Sequence, residues 1–174
     1  MEDFLIPADV LNQLDLKEDM TAADFGSGSG GWAIPLAKKI KEGKVYAVDV
    51  LEEALSALRD KAGFSNISNI ETIRADLEVG SISQITDNSL DLVLITNLLF
   101  QVEDKKGVLL EAKRTLKEGG LILVVDWKKK VTLGPKEGKI SEAEVKKIAK
   151  TLKLEFQKEI EAGSYHYALL FKNP

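Results

Sequence analysis

At 174 residues the chain has the length of one domain that can bury a full core. It contains no cysteine, which excludes disulfides, thiolate metal sites and a cysteine nucleophile, and no metal centre is expected. A net charge of −4 gives no global basic field, and no apolar run approaches the roughly 18 residues of a membrane span, so neither nucleic acid nor membrane insertion is expected.

The N-terminus, Met1-Glu-Asp-Phe, lacks the basic and apolar pattern of a secretory leader, so a cytoplasmic protein is expected. Residues 2–16 are apolar at Phe4, Leu5, Ile6, Val10, Leu11 and Leu14, the pattern of a helix that either covers a ligand pocket or packs on the core. Short apolar runs then alternate with amphipathic stretches, the pattern of a parallel sheet covered by helices. Strands are predicted over Thr21–Phe25, Lys44–Val48, Asn69–Arg74, Leu90–Thr96 and Leu121–Asp126. Helices are predicted over Gly31–Lys41, Leu51–Ala62 and Glu103–Leu116, with Pro35 near the start of the first, where its missing N–H costs least. Ser141-Glu-Ala-Glu144 has the form of a capping box opening a helix to Leu152. Leu154–Glu159 and Ser164–Lys172 read as two strands joined closely enough for a hairpin.

The most informative segment is Ala23-Asp-Phe-Gly-Ser-Gly-Ser-Gly-Gly31. It lies between the first strand and the first helix of the alternating series. Gly26, Gly28 and Gly30 strip one side of the turn of Cβ atoms and let the backbone approach a ligand closely. The loop also satisfies G-x-G-x-x-G, and Asp49 follows Gly26 by 23 residues, near the spacing of an acid that binds ribose hydroxyls. NAD and S-adenosylmethionine would both use such an acid, but they differ at the turn. Pyrophosphate wants bare N–H groups and is repelled by a nearby carboxylate. Asp24, two residues before Gly26, favours a ligand with an ammonium and a sulfonium. A chain of this length also leaves no room for the separate substrate domain of a nicotinamide dehydrogenase.

On these residues the chain resembles the class I S-adenosylmethionine-dependent methyltransferases. Asp24-Phe-Gly26-Ser27-Gly28-Ser-Gly30 is similar to the family's first motif and Val45-Tyr-Ala-Val-Asp49 to its second. Ile73-Arg-Ala-Asp76-Leu77 is similar to the third, Ser89-Leu-Asp91-Leu-Val-Leu-Ile-Thr-Asn97 to the fourth, and Leu116-Lys-Glu-Gly119-Gly120-Leu-Ile-Leu-Val-Val to the turn and strand beyond. The resemblance implies a Rossmann-like, doubly wound α/β sheet of seven mostly parallel strands. Its last, antiparallel strand would insert between the fifth and sixth. It implies a single S-adenosylmethionine-binding domain over residues 1–174, of a kind similar to quinone-biosynthesis methyltransferases. Asp24 and the glycine turn would hold the methionine end, Asp49 with Val50 the ribose, Asp76 with Leu77 the adenine, and Asn97 the amino group beside the methyl.

The acceptor side is less patterned. Where related enzymes carry histidines after the fourth strand, this chain has Leu98-Leu-Phe100-Gln101, leaving Phe100 as a wall. Asp126 and Trp127 end the fifth strand, with a turn or cap as the alternative role for Asp126. His166, the one histidine, begins the last strand at the same sheet edge, with Tyr165 and Tyr167 facing the other way. Phe100, Asp126, Trp127 and His166 are therefore the expected acceptor contacts. Lys128, Lys129 and Lys130, with the glycine- and proline-punctuated loop after them, read as a solvated rim that could also meet an anion. The expected activity is methyl transfer to an unidentified acceptor, with a homodimer-completed pocket as one arrangement. The alternative is a cofactor-binding module that regulates a partner without transfer.

Overall fold

The computed structural model describes residues 3–174 and is a seven-stranded sheet with helices on both faces. In chain order the elements are α1 (Pro7–Leu11), β1 (Thr21–Phe25), α2 (Ala33–Lys39), β2 (Lys44–Asp49), α3 (Glu52–Phe64), β3 (Ile70–Arg74) and β4 (Leu90–Thr96). There follow α4 (Lys105–Thr115), β5 (Leu116–Trp127), α5 (Glu142–Thr151), β6 (Glu155–Ile160) and β7 (His166–Lys172). The strand order is β3-β2-β1-β4-β5-β7-β6, parallel except for β7, which runs antiparallel to both neighbours. The expected insertion of the last strand is present.

Burial on both faces explains the continuous apolar runs of β4 and β5. One face carries Val93, Ile95, Ile122 and Val124 against α4 and α5. The other carries Leu92, Leu94, Leu123 and Val125 against α1 and α2. The crossover from β3 to β4 has no helix. Ile82 and Ile85 take its place in the core, held by Glu111 and Arg114 of α4. Glu111 accepts the Ile82 N–H at 2.8 Å, and Arg114 donates to the carbonyls of Ile82 and Ile85.

The ends of α2 to α5 differ from the sequence reading by at most two residues, for visible reasons. Asp104 caps α4 by accepting the Gly107 N–H at 2.8 Å, so the helix starts at Lys105. The capping box of α5 is formed by Ser141 and Glu144 as expected. β5 begins five residues earlier than predicted, because Asn173 exchanges backbone hydrogen bonds with Gly119 and Gly120 and draws that turn into the ladder. Residue 2 of the N-terminal segment lies outside the described residues. In the remainder, Val10, Leu11 and Leu14 are buried in the core against α2, whereas Phe4 and Ile6 stay exposed. Among the described residues no helix is long and apolar enough to cross a membrane.

Candidate active site

The parallel strands end at one edge, and the glycine turn is hung there from β2. The N–H groups of Gly26 and Ser27 both donate to the Val48 carbonyl, at 2.8 and 2.9 Å. Gly26 has φ +74°, and a Cβ there would stand 2.9 Å from Leu98, so two constraints select glycine. Asp49 braces the turn, accepting the Gly28 N–H at 2.8 Å on one oxygen and the Leu51 N–H at 2.9 Å on the other. Each oxygen keeps acceptor capacity for a hydroxyl.

Beside this turn lies a cleft of about 390 Å³. Gly26, Gly28, Asp49, Val50, Asp76 and Leu77, all expected from sequence, line it. Ser27 is buried within the turn and, like Asp24, Gly30 and Asn97, does not line the cleft. Sequence reading missed Ala54, Glu78, Leu98 and Gln101, which also line it. Glu78 accepts the N–H groups of Glu103 and Asp104, tying the β3–β4 crossover to the start of α4. Gln101 donates to the Asn97 carbonyl at 2.6 Å, four residues back in one turn. Neither role has a local signal, since each partner comes from another part of the site or from loop geometry.

The electrostatics at this edge are unusual. Among the described residues, six buried side-chain N or O atoms lack a hydrogen-bond partner, and they belong to only four residues: Asp24, Asn97, Asp126 and His166. These sit at the ends of β1, β4 and β5 and the start of β7, four adjacent strands. Buried polar groups are normally satisfied, so a row of orphans marks a place built for something else. Burial pushes the Asp24 carboxyl up to about 7, and the Asp49 charge adds to this; the Ala33 N–H opposes it without reaching hydrogen-bond geometry. Asn97 adopts φ +49°, a left-handed conformation that asparagine tolerates better than most residues.

Asp126 and Trp127 part company. Asp126 is fully buried on the α4/α5 face, where it accepts the Trp127 N–H at 2.7 Å while the Leu99 and Phe100 N–H groups face it. Burial raises its carboxyl to about 6, and those N–H groups partly offset this. The turn-capping role therefore has direct support. Trp127, on the opposite face, meets the His166 ring at 4.1 Å. Gly134 of the following loop rests on the indole, where a Cβ would approach Cε3 to 2.4 Å. Gly138 rests in the same way on the Phe100 carbonyl, leaving the Phe100 side chain half-buried.

The lysine-rich loop is more integrated than a solvated rim. Lys128 donates to the carbonyls of Gly163 and Ser164, Lys129 pairs with Glu144, and Lys139 donates to the carbonyls of Val131 and Leu133. Tyr167 faces away from His166 as expected and donates to the Ile140 carbonyl at 3.0 Å. Tyr165 meets the Phe4 ring at 5.7 Å.

A model of the methyltransferase domain matches residues 23–124, more than half of the chain. The chain belongs to this methyltransferase-domain family. The demethylmenaquinone methyltransferase of Geobacillus stearothermophilus is 31% identical over 121 residues, covering 68% of this chain and 50% of that protein. The enzyme of the same name from Bacillus mycoides is 30% identical over 127 residues, covering 72% and 52%. The chain thus spans about half the length of these curated relatives. The crystal structure of an S-adenosylmethionine-dependent methyltransferase from Aquifex aeolicus superposes with a TM-score of 0.88 at 28% identity, covering 98% of this chain and 91% of that one. The cofactor of the methyltransferase domain is S-adenosylmethionine, and the chain's residues fit it. Half-buried Asp49 by the turn keeps acceptor capacity for hydroxyls, the cleft stands open beside it, and Asp24 nearby holds a buried carboxyl without a partner.

Proposed function

We propose that the protein is an S-adenosylmethionine-dependent methyltransferase acting on an uncharged small-molecule acceptor. The single observation that carries this reading is the row of orphaned polar atoms at the carboxyl edge, next to a cleft walled by glycines and Asp49. In this reading Asp49 receives the ribose hydroxyls, Asp76 and Leu77 flank the adenine, and Asp24 and the Asn97 amide oxygen receive the ammonium. Bound there, S-adenosylmethionine supplies a methyl group already activated on a sulfonium. The chain contributes binding, alignment and exclusion of water, which are worth on the order of 7–11 kcal/mol in well-oriented reactions. Trp127, Phe100 and His166 form the acceptor side, with Asp126 holding the turn that presents Phe100.

Engagement of Lys128, Lys129 and Lys139 within the fold supports an uncharged acceptor over an anion or nucleic acid. The names of the curated relatives point to a quinone-type ring as the first acceptor to try, and the action is taken to occur in the cytoplasm. The test is transfer of a labelled methyl group to a panel of hydroxylated aromatic acceptors, with formation of S-adenosylhomocysteine as the readout. Turnover above the acceptor-free background supports the reading. Tight cofactor binding without turnover on any acceptor would favour a regulatory module.

A further inference from the structure

Of the four residues with orphaned atoms, three have a use in the reading above: Asp24 and Asn97 toward the cofactor, Asp126 beneath the 97–101 turn. His166 does not. It is 6% exposed, and both of its ring nitrogens are buried without a partner. Its position is fixed from three sides. β7 pairs it with Trp127 across the ladder, the indole contacts the imidazole at 4.1 Å, and the preceding turn is laced to the N-terminal segment. There Asp3 donates to Ser164 Oγ at 3.1 Å and Ser164 returns a bond to the Asp3 carbonyl at 2.8 Å, while Gly163 packs too closely for a Cβ. A rigid mount of this kind for an unsatisfied ring is a feature of positioning groups.

His166 lines a cavity of about 120 Å³. The same cavity is lined by Lys128 and by Glu142, Glu159 and Glu161. The carboxylates disfavour an anionic guest, and the Lys128 ammonium is turned to the Gly163 and Ser164 carbonyls. Burial and the Lys128 charge hold the imidazole down at about 4, so it is neutral through the physiological range. A neutral imidazole offers one N–H and one lone pair. A carboxylate would satisfy only the first and an ammonium only the second, whereas a hydroxyl can meet either. Exposed Phe4 and Ile6 line a neighbouring groove that shares Glu161, Ala162 and Gly163 with this cavity, an apolar approach for a ring.

We propose that His166 is the residue that orients the acceptor, hydrogen-bonding a hydroxyl of an uncharged, ring-bearing molecule seated beside Trp127. The proposal rests on the methyltransferase reading and adds to it the residue and the chemistry that select the acceptor.

Because His166 is the one histidine in the chain, its two ring nitrogens give unambiguous NMR signals. The experiment uses the full chain saturated with S-adenosylhomocysteine, with phenol as the probe and toluene as a control of the same shape without the hydroxyl. Phenol should shift a His166 ring nitrogen saturably and toluene should not. In His166→Gln and His166→Phe, followed through a fluorotryptophan signal at Trp127, phenol should bind at least ten-fold more weakly, while S-adenosylhomocysteine affinity stays within two-fold. That retained affinity also certifies the fold of the variants. Equal shifts from phenol and toluene, no shift from either, or unchanged phenol binding in both variants would overturn the proposal and leave His166 as a packed residue on a buried water. Failure of S-adenosylhomocysteine to bind the wild-type chain would instead remove the methyltransferase reading on which the proposal stands.

Discussion

The two halves of the site are built in opposite ways. The cofactor half lies over β1, β2 and β3, and apart from Asn97 its expected residues fall within one stretch from Asp24 to Leu77. It is braced by its own backbone and leaves an open cleft. The acceptor half lies over β4, β5 and β7 and draws on residues 97–101, 126–138 and 163–167, with the N-terminal segment laced onto it. Asn97, Asp126 and His166 hold buried, unpaired polar atoms there, as Asp24 alone does in the cofactor half. A binding site for a fixed cofactor can be local and preformed, whereas the selective half is assembled from distant loops that vary without disturbing the sheet.

The comparison is broken most forcefully at Asp24. An acid whose folded-state value is raised to about 7 from 3.8 holds its proton in the folded state across that window. Its stabilising share is therefore full below about pH 4 and is lost as pH rises toward 7, by up to about 4 kcal/mol at 1.36 kcal/mol per unit. Asp126 acts in the same direction. His166, held low, acts in the other: its share is lost as pH falls from its ordinary 6.5 toward 4. Cofactor-free Asp24→Asn should therefore melt higher than wild type at pH 8, yet bind S-adenosylhomocysteine at least ten-fold more weakly. Calorimetry and thermal melts at pH 5 and pH 8 measure both, and a variant that loses stability at pH 8 contradicts the account.

Next in size is Asp49→Ala. It removes the brace on Gly28 and Leu51 together with the ribose acceptor, and S-adenosylhomocysteine affinity should fall about 100-fold, the worth of about 2.7 kcal/mol. Gly134→Ala strikes the other half. The added methyl collides with the indole in a left-handed conformation, so the melting temperature should fall by an amount equivalent to about 1–3 kcal/mol, with Trp127 displaced. Cofactor affinity should stay within two-fold, and a larger change would show that the halves are coupled. The smallest effect belongs outside both. Ser141→Ala deletes the capping box of α5 and should cost about 1 kcal/mol of stability with no change in cofactor affinity.

Legibility in the sequence followed the same divide. Glycine and acid spacing within one strand–turn–helix unit announced the cofactor half, because its chemistry depends on neighbours in the chain. The alternating runs announced the sheet, and Leu154–Lys172 announced a hairpin, but its placement against β5 came from the family resemblance. The contact of Trp127 with His166 spans 39 residues of sequence and exists only because β7 inserts there. Likewise nothing local in Lys128–Lys139 told that its glycines pack on Trp127 and on Phe100, or that three of its lysines serve the fold. Asp126 was ambiguous in the sequence because a strand-end acid caps a turn or meets a ligand depending on which face it takes.

The most direct test of the central claim is a calorimetric titration of the wild-type chain with S-adenosylhomocysteine, repeated on Asp49→Ala and His166→Gln. The account predicts micromolar binding by the wild type, loss of about 100-fold in Asp49→Ala and a change within two-fold in His166→Gln. Absence of binding, or equal loss in both variants, would contradict a preformed cofactor half that stands apart from the acceptor half.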